Sequence, residues 1–149
     1  MSVSTVAAIE STVHTSNTWI KELTEELGWN DRQRAYHAFG AVLHALRDRL
    51  TIAETADLGA QLPMLLRGLY YEGWNPSTTP LRERKREDFL RHIAAAFAGH
   101  TEIYPEEVAW GVFKVLERHV SAGEIRDVLH VLPAEIRSLW PDQESVKVS

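Results

Sequence analysis

The chain has 149 residues, 44% of them hydrophobic and 25% charged, with a formal net charge of −5 and no cysteine. That length is normally one domain, able to bury most of its apolar surface without disulfide or metal staples. The missing cysteine excludes a disulfide framework and thiolate metal sites, and the acidic balance argues against general nucleic-acid binding, which needs basic surface to neutralise phosphate.

The first residues carry no basic n-region and no long apolar run, so they do not read as a signal peptide. No apolar stretch approaches the roughly 20 residues of a membrane span, and the expectation is a soluble cytoplasmic protein without a membrane partner. Val6, Ile9 and Val13 are spaced for one helix face, which Trp19, Ile20, Leu23 and Leu27 continue. Gly28 is placed to stop that helix in a left-handed cap, while Thr15, Ser16 and Asn17 leave open an interruption midway. Asn30 and Asp31 read as the start of a second helix, with Phe39, Val42, Leu43, Leu46 and Leu50 on its apolar side. Thr51 and Glu54 form a capping box that opens a short third helix through Ala60. Gln61-Leu62-Pro63 then predicts a sharp bend from which Pro63 opens a fourth helix, lined inside by Leu62, Leu66 and Leu69.

Residues 72–80, E-G-W-N-P-S-T-T-P, are the only plausible linker. A charged lead-in over 81–88 follows, after which Phe89, Leu90, Ile93 and Phe97 match Trp19, Ile20, Leu23 and Leu27. Pro105-Glu106-Glu107 predicts a helix start about a turn later than its counterpart, with Val108, Val112, Val115 and Leu116 on the inner face. Ser121 and Glu124 repeat the capping box.

The stretch A-D-L-G-A-Q-L-P-M-L-L-R-G-L-Y, residues 56–70, returns seventy positions later as R-D-V-L-H-V-L-P-A-E-I-R-S-L-W. Asp57, Leu62, Pro63, Arg67 and Leu69 recur as Asp127, Leu132, Pro133, Arg137 and Leu139. The expected architecture is all-α. It is one compact bundle of about eight helices, built from two four-helix repeats related by a pseudo-twofold. Repeat one covers about 15–71 and repeat two about 81–140, with a polar tail over 141–149 expected to fray.

At the Q-L-P turn, in R-G-L-Y-Y-E-G-W, and again in S-A-G-E-I-R-D-V and L-P-A-E-I-R-S-L-W, the chain resembles a known family. It is similar to uncharacterised bacterial domain-of-unknown-function proteins made of two such helical repeats, from about Thr15 to Trp140. The resemblance implies an all-α cytoplasmic protein. It brings no assigned activity and no catalytic residues, so no site comes with it.

Seven histidines invite a metal site, but His37 and His44 lie seven apart, about 10 Å along a helix, too far for two ligands of one ion. His92, His100, His119 and His130 show no ligand spacing, and neither a metal nor a cofactor is expected. Glu22, Glu25 and Glu26 read as an outward, solvated face and Glu106 and Glu107 as a helix N-terminus, and none of these sits where the pattern predicts an apolar pocket that would raise its pKa. With no phosphate loop, nucleophile elbow or calcium loop, the expectation is a non-enzyme.

Three polar or aromatic features remain. Asp57 with Arg67, and Asp127 with Arg137, span the bends at Pro63 and Pro133. Each arginine is expected to fold back on its aspartate, or on carbonyls left bare by the proline, and to fix the angle between helices. Tyr70, Tyr71 and Trp74, with Trp110, are the candidate working surface, because aromatics with a polar tip favour interfaces, while the structural reading of the first three, slightly preferred, is that they seal the seam between the two halves. Arg82, Arg84, Lys85 and Arg86 form a basic run that reads as a solvated helix start rather than a nucleic-acid contact. The function expected from all this is an interaction or accessory module with an unknown protein partner, a second copy of the chain among the candidates. The alternative is a binder of a small apolar ligand near Tyr70, Tyr71, Trp74 and Trp110.

Overall fold

A computed structural model describes residues 5–141, and among them every regular element is helical. In chain order these are α1 (Ala7–Leu27), α2 (Arg32–Arg47), α3 (Ile52–Ala60), α4 (Met64–Tyr71), α5 (Arg86–Ala95), α6 (Pro105–His119), α7 (Ala122–Val131) and α8 (Ala134–Arg137).

Local chemistry sets most of the boundaries. α1 runs unbroken through Thr15–Asn17 and stops at Gly28, whose φ of 69° and ψ of 26° are the left-handed conformation glycine adopts without a Cβ penalty. Asp31 caps α2, its Oδ1 accepting the Arg34 N–H at 3.0 Å. Thr51 Oγ1 accepts the Glu54 N–H at 3.1 Å to open α3, and Ser121 Oγ accepts the Glu124 N–H at 3.2 Å to open α7. Pro63 and Pro133 sit at the N-cap positions of α4 and α8 with nearly equal backbone angles (φ −60° and −58°, ψ 149° and 147°), one residue before the helices themselves. Pro105 occupies the first turn of α6 with Glu106 and Glu107 beside it, where acids complement the helix dipole. Removing either hydroxyl cap, Thr51→Ala or Ser121→Ala, should cost about 1 kcal/mol of unfolding free energy. Urea denaturation of the two single variants and the double variant measures it.

α2 is the central element, touching α1, α4, α5 and α6, while α1 also packs on α6 and α3 on α7. Leu23, Phe39, Leu43, Leu46, Leu66, Tyr70 and Phe89 are fully buried between them. Phe113 stacks on Trp140 with ring centres 4.1 Å apart and planes within 5°. α1 and α6 meet at Gly111, where a Cβ would come within 2.8 Å of the Leu27 side chain, so the glycine makes room for Leu27 and Leu23 of α1. No described helix is long and apolar enough to cross a membrane.

Several expectations need correction. Val6, Ile9 and Val13 keep the period of the inner face but lie at the N-terminal end of α1, and all three are exposed. Glu22 and Glu26 are half-buried against α6 rather than solvated. Arg118 reaches both, Glu26 at 2.8 Å, and His119 Nε2 lies 2.7 Å from Glu22 while its ring stacks on Trp19. Burial pushes the Glu22 carboxyl up, but Arg118 and His119 outweigh it and hold it below the usual carboxylate range. Phe97 is buried as expected, yet it lies in the turns after α5 rather than within the helix. Pro141, grouped with the fraying tail, is buried, and residues 142–149 lie outside the described residues.

Candidate functional site

The four aromatics singled out from sequence do not converge. Tyr70 is wholly buried and donates its hydroxyl to the Thr55 carbonyl at 2.9 Å. Burial, then the neighbouring Tyr71, pushes its phenol far above the ordinary range, so it is a structural donor and not an acid. Tyr71 meets Tyr70 edge-on at 4.9 Å and Trp74 at 5.6 Å, and Trp74 Nε1 donates to Thr79 Oγ1 at 3.1 Å. The three seal the end of α4 against α3 and the linker. Gly59 makes room for the Tyr71 ring, since a Cβ there would overlap the tyrosine hydroxyl. Trp110 belongs elsewhere: it is exposed on α6, with Lys114 Nζ 4.9 Å above its ring.

At the two proline bends the arginines take the carbonyl option. Arg67 Nε donates to Gly59 O and its Nη2 to Leu62 O, both at 2.9 Å. Arg137 Nε donates to Leu129 O and its Nη2 to Leu132 O, again both at 2.9 Å. These acceptors are the carbonyls a helix end leaves without an intrahelical partner. Neither aspartate is the partner: Asp57 turns instead toward Glu54 and Glu124.

A cavity of about 320 Å³ lies where α2, α4 and the end of α5 meet, lined by Tyr36, His37, Gly40, His44, Leu69 and Ala96 among others. The two histidines of α2 both face it, each tied to a carbonyl across the gap. His44 Nε2 lies 2.6 Å from Leu69 O and His37 Nε2 2.8 Å from Ala96 O. A carbonyl can only accept, so each Nε2 carries the proton. Of the basic run, Arg86 pairs with Glu106 at 2.5 Å, and Arg82, Arg84 and Lys85 are exposed.

Two places were not legible beforehand. One is on α1 and α4: Met64 and Leu65 are exposed, as are Val6, Ile9 and Val13, and the Leu65 N–H donates to Thr12 Oγ1 at 3.0 Å, bringing α4 against α1 between Ile9 and Val13. The other is the crossing of α3 and α7, where carboxylate oxygens of Glu54, Asp57 and Glu124 all lie within 4.8 Å of one another. Burial, then the hydrogen bond and charge of Glu54, and the charges of Asp57 and Asp127, push Glu124 up to about 8. The signal in the sequence is the spacing itself, Glu54-x-x-Asp57 and, seventy residues on, Glu124-x-x-Asp127.

Residues 16–139 match the family described as an uncharacterized conserved protein, DUF2267. The chain belongs to this family. The match takes in both proline bends, both capping boxes and all four carboxylates of the α3–α7 crossing. It leaves out Val6, Ile9 and Val13, three of the five exposed large apolar residues of α1 and α4. No relative among curated proteins matches the sequence.

Proposed function

We propose that this DUF2267 protein is a non-enzymatic helical interaction module that docks a second copy of itself through the apolar edge of α1 and α4. One observation carries the reading: Val6, Ile9, Val13, Met64 and Leu65 are each between 40% and 62% exposed, and the Leu65–Thr12 hydrogen bond brings the start of α4 against this face of α1. Isolated apolar residues on a surface are ordinary, but a contiguous patch marks a contact site. The occupant follows from charge. Between Ala7 and Asn17 there is no lysine or arginine and Glu10 is the only carboxylate, so two such stripes can pack antiparallel about a twofold without stacking like charges. Sedimentation equilibrium from micromolar to millimolar protein tests this. Wild type should dimerise reversibly, and Ile9→Glu with Met64→Glu should be monomeric with an unchanged thermal midpoint. A wild type that stays monomeric across the range removes the self-docking reading.

We also read the bundle as two four-helix repeats about a pseudo-twofold, and place the protein in the cytoplasm on its cysteine-free composition. The repeat is supported by the matched caps of α3 and α7, the matched backbone at Pro63 and Pro133, and the matched carbonyl acceptors of Arg67 and Arg137. A second reading, a binder of a small apolar ligand, is favoured by the cavity beside His37 and His44, whose volume is at the low end for ligand pockets. Native mass spectrometry of freshly purified protein would show retained mass if that reading holds.

A further inference from the structure

We propose that the crossing of α3 and α7 is a binding site for a hard divalent cation of the size of Ca2+, held by Glu54, Asp57 and Glu124 with Asp127 beside them. The site is separate from the docking edge and does not depend on it.

Spacing puts the carboxylates there. In each helix a glutamate and an aspartate three positions apart lie on one face, and α3 and α7 pack against each other. Three carboxylate oxygens within 4.8 Å of one another span what a Ca2+ coordination sphere requires, because Ca–O bonds of about 2.3–2.6 Å put opposite ligands about 5 Å apart. The donor set is oxygen alone, which selects Ca2+, Mg2+ or Mn2+ over softer metals. Asp57 is exposed, giving the ion a path in from solvent.

Orphaned acceptors point to the ligand independently. Glu124 is only 8% exposed, and its Oε2 and the Oε1 of Glu54 are shielded from water with no partner outside the acidic cluster: the one hydrogen bond open to Glu124 there is to Glu54, through a proton that one of the two must keep. A glutamate at this position of a capping box ordinarily reaches back to the N-cap N–H. Here the Ser121 N–H is taken by Gln61 Oε1 at 3.2 Å, and the Glu124 carboxylate is aimed into the crossing instead. Buried polar atoms without partners are rare because leaving them so is costly. Among the described residues no lysine, arginine or histidine forms an ion pair with any of the four carboxylates. A cation satisfies both orphaned oxygens and the clustered negative charge in one step.

The full chain, stripped with chelator, is titrated with Tb3+ and then with Ca2+, Mg2+ or Mn2+. Tyr70, close enough to Glu124 for their charges to interact, and Tyr71 should sensitise bound Tb3+, giving emission that saturates and is displaced by Ca2+ more readily than by Mg2+. Ca2+ at about a hundredfold above its Kd should raise the thermal midpoint by roughly 5 °C. Glu124→Gln keeps the side-chain shape and should weaken Ca2+ binding at least tenfold, whereas Glu106→Gln should leave it unchanged. If Glu124→Gln does not fold, Glu54→Gln serves for the same comparison. Sensitised emission that persists undiminished in both glutamine variants overturns the site. So does a thermal midpoint that depends on pH but on none of the three cations, which would mean that the carboxyls only share a proton.

Discussion

Arg47→Met should lose about 3–5 kcal/mol of unfolding free energy, a large part of the 5–15 kcal/mol that holds a domain of this kind together. Arg47 ends α2 and is 4% exposed. Its Nη1 donates to the carbonyls of Tyr70 and Glu72, each at 2.8 Å, and its Nε to Asp48 Oδ1 at 2.8 Å. Tyr70 lies in the last turn of α4, so the guanidinium neutralises the negative end of that helix while supplying donors its carbonyls lack. Methionine fills similar volume with no donor at all. The variant would bury two carbonyls without partners and leave Asp48 unpaired, which is where the cost arises. A lower urea midpoint with an unchanged slope is the expected result. A loss under about 1 kcal/mol would mean that water reaches those carbonyls, and that Arg47 does not join α2 to α4. Arg67→Met, at a half-buried site, should cost less than half as much.

The contrast between Arg47 and Arg67 shows what a single sequence makes legible. Arg67 finds its acceptors five and eight residues back, across a bend that proline announces, so its role could be framed from local rules alone. Caps at Asp31, Thr51 and Ser121, the left-handed stop at Gly28 and the proline start of α6 were readable for the same reason. Arg47 reaches 23 and 25 residues ahead, and nothing in the pattern around it marks a partner. Periodicity has a different limit. It groups Val6, Ile9 and Val13 with Trp19 and Leu23 on one stripe, but only the lengths of the neighbouring helices decide which end of the stripe is covered. The capping boxes hid the acidic crossing by being locally complete: Glu54 and Glu124 already had a role at their own helix starts. Their meeting exists only once α3 lies on α7.

That meeting makes stability fall as pH rises. Glu124 is pushed up to about 8 in the folded chain, by burial first and then by Glu54, Asp57 and Asp127, against an ordinary value of 4.5. Below 4.5 the folded and unfolded chains both hold the proton, and the site carries no penalty. Between 4.5 and 8 the unfolded chain releases it while the folded chain retains it, so each rise in pH favours unfolding. Above 8 the loss is complete and constant. The whole displacement would correspond to about 4–5 kcal/mol in a dry site. Asp57 and Asp127 are exposed and water screens the crossing from that side, which reduces the expected loss to about 2 kcal/mol. Glu124→Gln cannot ionise and should be more stable than wild type by that amount at pH 8.5, and equal to it near pH 4. Tyr70, the other titratable group facing Glu124, stays protonated throughout this range and does not confuse the comparison. Urea unfolding of both proteins in chelator, at steps from pH 4 to pH 9, gives the difference curve. Parallel curves would show that the Glu124 carboxylate is solvated at the crossing, and the buried acidic pair would have to be abandoned.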